Sequence, residues 1–127
     1  MLVCIFKNKE NHIYKNTTIT FKAQFEVFHG VRVGTPKNLK YNEWFRCDFS
    51  TGIHFHPCQI TYLGSDEIMQ ENTWYDCEIT ILAIGNLPPF DPESKFENIE
   101  FEKEYWLHAG FDVVGKCKLL SIIRVED

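Results

Sequence analysis

The sequence lacks long apolar runs, helical periodicity and any excess of positive charge, and each absence removes a class of protein. No stretch of the 127 residues approaches the length that carries a helix across a bilayer. The opening MLVCIFKNKENH has only six apolar residues before Lys7, too few for a secretory leader, so a cytoplasmic location without membrane attachment is expected. Thirteen basic residues stand against eighteen acidic ones, a formal charge of -5 that repels phosphate backbones unless the basic side chains gather on one face. RNA is therefore disfavoured as a partner. No G-x-x-x-x-G-K-[ST] occurs, which removes the usual nucleotide phosphate cradle. The five cysteines, Cys4, Cys47, Cys58, Cys77 and Cys117, are odd in number and not closely spaced. They fit reduced, packed thiols better than a disulfide framework.

What is present is β-periodicity. A hydrophobic fraction of 44% with 15% aromatics supplies one core at this length, so residues 1–127 are expected to form a single domain. From Thr17 to Phe28, Ile19, Phe21, Ala23, Phe25 and Val27 alternate with Thr20, Lys22, Gln24 and Glu26, the two-residue period of a strand with one wet face. A turn-rich connection over His29 to Asn42 leads to Trp44, Phe45, Cys47 and Phe49, where the β pattern resumes. Ile53 to Leu63 forms another strand, with Pro57 predicting an edge or a bulge because it has no N–H for the ladder. Gly64 to Asn72 is an acidic loop, and Thr73 to Ala83 alternates again. Pro88, Pro89 and Pro92 predict an extended, exposed loop over Gly85 to Lys95, and IEFEKEYWLHAG with VVGKCKLLSIIRV closes the chain as a hairpin. The fold class is all-β and antiparallel, a barrel or sandwich of about six or seven strands.

The order FKAQFEVF, a Gly/Pro connection, FHPCQITYL, WYDCEITILA and YWLHAGFDVVGKCKLLSI resembles the third, C-terminal barrel of elongation factor Tu, over Thr18 to Ile123. His56 and Pro57 stand where that family has an Arg-Pro pair, and Ala109 and Gly110 stand at its E-G-G turn. Val114 and Gly115 begin its V-G-x-G-x-V close, with Cys117 in place of the second glycine, and the loop around Pro88 to Pro92 is longer. The resemblance implies a closed six-stranded antiparallel barrel standing alone without the GTPase. In its parent that barrel contacts the GTPase domain, the exchange factor and transfer RNA.

Three groups of residues are candidates for chemistry or contact. His54, His56 and Cys58 alternate along a strand, which would place two imidazoles and a thiol on one face as a weak metal site or a Cys–His nucleophile; no further ligand motif joins them, and no metal or cofactor is expected. Glu100, Glu102 and Glu104 would share one strand face as an acidic stripe, suited to a basic partner by charge complementarity. Pro88, Pro89 and Phe90 would present a contact loop. No catalytic residue is assigned. The function expected is a non-enzymatic protein-interaction module with a protein partner of basic charge, one version being an immunity protein that neutralises a toxin. The alternative, implied by the resemblance, is a translation-associated accessory that binds transfer RNA or a translation factor, with Lys22, Lys37, Lys40, Arg46, Lys116 and Lys118 as its basic patch.

Overall fold

The computed structural model describes residues 17–28, 38–65, 67–82 and 84–126. Cys4, Lys37 and Asp66, and most of the His29 to Asn42 connection, lie outside the described residues. Strands run as β1 (Thr18–Val27), β2 (Asn38–Leu39), β3 (Trp44–Ser50), β4 (Phe55–Tyr62), β5 (Glu67–Ile68), β6 (Tyr75–Leu82), β7 (Glu104–Ala109) and β8 (Asp112–Glu126). Six of them form an antiparallel sheet that closes on itself into a ring, in the order β1-β6-β4-β3-β7-β8, while β2 and β5 pair separately. Among the described residues each of these six strands has a neighbour on both sides, which limits the edge an all-β chain offers to another chain.

The alternation in β1 is what allows closure. Ile19, Phe21, Ala23, Phe25 and Val27 all point inward and are at most 2% exposed. The strand pairs with β6 on one side and β8 on the other over nearly its full length. Tyr75, Cys77, Ile79 and Ile81 of β6, Cys58, Ile60 and Tyr62 of β4, and Cys47 and Phe49 of β3 complete the inner layer. Aromatic rings meet edge-on or tilted at its centre: Phe25 lies 5.7 Å from Phe45 and from Tyr75, and Phe49 lies 4.9 Å from Tyr105.

Strand β8 departs from a strict two-residue period, and each departure coincides with an apolar doublet. In Val113-Val114, Leu119-Leu120 and Ile122-Ile123, one residue of each pair is skipped by the register. Leu107 pairs Gly115 while His108 pairs Val113; Ala23 pairs Leu119 while Lys22 pairs Ser121; Phe21 pairs Ile122 while Thr20 pairs Arg124. These bulges bend the strand, the local curvature a small closed sheet needs. Gly115 completes the closure. A Cβ there would run into the carbonyl oxygen of Glu26 on β1, so only glycine lets the two backbones approach.

Pro57 sits inside β4 at a local edge of the sheet. On the β6 side, pairing begins only at Cys58, so the prolyl nitrogen falls where β4 has a strand on one side alone. The Pro-rich segment differs from an extended exposed loop. Ile84, Leu87 and Ile99 are buried in the core, and Asn86 pins the segment by donating its N–H to Glu97 O and accepting from Ile99 N at 2.7 Å. The Asn86 amide adds bonds to Asp91 O and to Asn98 Oδ1. Its tip, including Pro89 and Phe90, remains exposed. Met69, in the segment expected as an acidic loop, is fully buried.

Candidate functional site

The outer face of the ring is built by the residues that alternate away from the core, and registers place them in rows. One row runs Glu26, Lys116, Trp106, Ser50 and Phe55 across β1, β8, β7, β3 and β4. The next carries Val113, His108, Asp48 and Pro57. Ser50 is the smallest side chain in its row and stands between two large aromatic ones, so the surface sinks there: Ser50 is only 5% exposed, whereas Trp106 is 50% and Phe55 59% exposed. The result is an open groove of about 460 Å³ lined by Phe28, Ser50, Phe55, Trp106, His108 and Val113. Phe28 meets Trp106 edge-on at 6.1 Å, and Phe55 meets His108 edge-on at 4.9 Å. The Nδ1 of His108 is buried without a hydrogen-bond partner among the described residues. Ile53, 75% exposed on the adjoining β3–β4 turn, and the wholly exposed Phe111 at the β7–β8 tip are further apolar side chains turned to solvent.

Charge around the groove is negative. Asp48 stands beside Pro57 and His108 in the second row, and Asp112 pairs with Ala109 at the end of the hairpin. On the β3–β4 turn, Glu97 Oε1 accepts from Thr51 Oγ1 at 2.8 Å and contacts His54 Nδ1 at 2.7 Å. Lys116, in register with Trp106, is committed elsewhere: its Nζ lies 2.7 Å from Glu104 and 3.8 Å from Glu26. Its partners hold its pKa above the ordinary lysine value, and the hydrogen bond to Lys116 in turn holds the Glu104 carboxyl below its own.

The three tryptophans differ in what covers them. Arg46 lies over Trp44 at 5.5 Å, and Lys116 and Lys118 lie over Trp74 at 5.6 and 4.1 Å. Among the described residues no cation is stacked on Trp106. Glu26, though on the outer face, is buried under this lattice and also accepts from the Asn72 N–H at 3.0 Å.

The acidic residues expected as one stripe are not on one strand. Strand β7 begins only at Glu104; Glu102 sits in a turn with φ of 66°, and Glu100 precedes it. The period of two is lost because the chain turns at Phe101 and Glu102, where Glu102 N donates to Leu119 O. Glu104 is paired with Lys116 and Glu100 with Lys103, so two of the three carboxylates are already partnered. The basic residues do not gather on one face either. Arg46 is on β3, while Lys22, Lys116 and Lys118 lie along β1 and β8, interleaved with Glu26 and Glu104.

His54, His56 and Cys58 do not converge. His54 precedes β4 and turns to Glu97; the His56 ring is half-buried, its centroid 6.5 Å from that of His54, with its Nε2 unpaired. Burial lowers the pKa of His56, opposed by the Glu97 charge, and His54 lowers it further. Cys58 points into the core against Cys47, with the sulfurs 3.6 Å apart. That hydrogen bond, together with burial, pushes its pKa far up and keeps it a thiol, which makes it a poor nucleophile and a poor ligand. Among the described residues no three His, Cys, Asp or Glu side chains come together to hold a metal ion.

No protein-family model matches the chain, and no curated protein matches it. Among the described residues no helix is long and apolar enough to cross a membrane.

Proposed function

We propose that this chain is a cytoplasmic, non-enzymatic protein-interaction module, a free-standing barrel of the kind found as the third domain of elongation factor Tu, which binds a basic protein partner through the Trp106–Phe55 groove. The groove itself carries the reading. Two half-exposed aromatic side chains flank a desolvated serine, the arrangement of a binding hot spot in which a partner side chain is enclosed by rings and shielded from water. Carboxylates border it and the molecule has a formal charge of -5, so a partner carrying lysine or arginine beside its anchoring residue is steered in and a phosphate backbone is turned away. The contact loop at Pro88, Pro89 and Phe90 and the carboxylates Glu100, Glu102 and Glu104 belong to the same acidic segment, and Glu97 joins that segment to the groove's edge. An immunity protein that covers the basic active site of a toxin is one form such a module takes.

A peptide-display selection tests the reading. Peptides enriched on the immobilised protein are expected to carry Lys or Arg and to lose about ten-fold or more in affinity when Phe55 and Trp106 are both replaced by alanine, the effect of removing one hot spot. Enrichment that survives the double replacement, or no enrichment, overturns it. Binding to transfer RNA with a steep salt dependence would favour the translation-associated alternative instead.

A further inference from the structure

We infer that the groove beside Trp106 is a cation-accepting site whose occupant is the guanidinium of an arginine on a basic partner protein. This rests on the interaction reading above and names its anchor. Three observations meet here. The walls are aromatic: Phe28, Phe55, Trp106 and His108 contribute rings, and Val113 is the aliphatic side chain among the lining residues. Ring faces attract a desolvated cation through their quadrupole, and indole does so most strongly.

The molecule also uses this device at its other two tryptophans, the exposed Trp44 and the partly buried Trp74. Trp44 has Arg46 over it and Trp74 has Lys116 and Lys118, while Trp106, half exposed, has no such cation among the described residues. Lys116 is in register with Trp106 and could have supplied one. Glu26 and Glu104 draw its ammonium the other way, toward Trp74.

Finally, the groove's surroundings suit a cation. No Lys or Arg lines it; Asp48 stands in register with His108, Asp112 precedes Val113, and Glu97 bonds to Thr51 and His54 of the adjoining β3–β4 turn. An arginine lays its planar guanidinium on the indole while its N–H edges stay free for a carboxylate, and its alkyl stem covers Phe55 and Val113. Lysine offers a more strongly hydrated point charge, and a phosphate chain offers the wrong sign.

The test uses the full chain and three capped Gly-X-Gly peptides, with X as arginine, as its uncharged isostere citrulline, or as norleucine. The readout is the three indole N–H resonances, that of Trp106 assigned with Trp106→Phe. The arginine peptide is expected to move the Trp106 resonance with little effect on Trp44 or Trp74. The other two peptides are expected to bind about three- to thirty-fold more weakly, the range cation–ring attraction spans. Citrulline or norleucine binding as tightly as arginine overturns the assignment, as does a Trp106 resonance that none of them moves. Neither failure is a failure of the interaction reading. Display peptides that need Phe55 and Trp106 but lack arginine would leave that reading standing with a different anchor.

Discussion

Trp74 and Trp106 lie on either side of one lysine, and they illustrate two uses of the same residue. On the Trp74 side, Lys116 and Lys118 stack on the indole, Glu104 and Glu26 hold Lys116, and Glu26 also holds the Asn72 N–H, so each of these groups has a partner within the chain. On the Trp106 side, the indole meets Phe28 and an open depression, and the His108 Nδ1 has no partner among the described residues. The first arrangement seals β8 against β1 and covers a buried carboxylate. The second is left incomplete among the described residues, with an aromatic face and a ring nitrogen open to a further group. An exposed tryptophan is thus not informative by itself; what lies over its ring decides between structure and contact.

The strongest way to break this contrast is at Glu26. Replacing it with alanine removes a buried carboxylate that accepts from the Asn72 N–H and pairs with Lys116, so Glu26→Ala is expected to cost about 2–3 kcal/mol in urea unfolding. A loss below about 0.5 kcal/mol would mean that the Trp74 side is not the structural one. Next, Trp74→Ala is expected to cost about 2 kcal/mol, from lost packing and two lost cation contacts, and to leave peptide binding unchanged. Trp106→Ala should do the reverse, with a stability change under about 1 kcal/mol and a binding defect of ten-fold or more. If the two variants behave alike in both measurements, the distinction fails.

The smallest effect concerns His56, on β4 opposite Phe49. Its folded-state pKa lies below the ordinary 6.5, because burial favours the neutral ring. The folded chain therefore binds fewer protons than the unfolded one in the window below 6.5. The contribution of neutral His56 is present above that value and is lost as pH falls toward and through the folded pKa. Unfolding midpoints should fall on acidification across this window, and His56→Gln should flatten that part of the profile. An unchanged slope in the variant would assign the titration to another group.

Much of the fold was legible because burial on one side forces a two-residue period. The inward sets of β1 and β6 can be read directly from Ile19 to Val27 and from Tyr75 to Ile81. The doublets of β8 were visible as apolar pairs, yet their meaning as bulges needed the opposing strand, since a register skip is a relation between two chains of residues. Glu100, Glu102 and Glu104 misled for a related reason: a regular spacing of charges imitates a strand face even where the backbone turns at Glu102. The burial of Ile84, Leu87 and Ile99 was hidden by the prolines beside them. His54, His56 and Cys58 shared a spacing but not an environment, because Glu97 captured the first and Cys47 faced the last.

The sequence by itself determined that this chain builds an all-β core with one wet face and carries net negative charge, because alternation and composition are local properties. Only the tertiary structure decided where a groove would open. Phe55, Ser50 and Trp106 are far apart along the chain and become neighbours through the registers of β4, β3 and β7 alone. Which tryptophan keeps its cations followed from the same registers, since they place Lys116 within reach of Glu26 and Glu104 and so draw it away from Trp106.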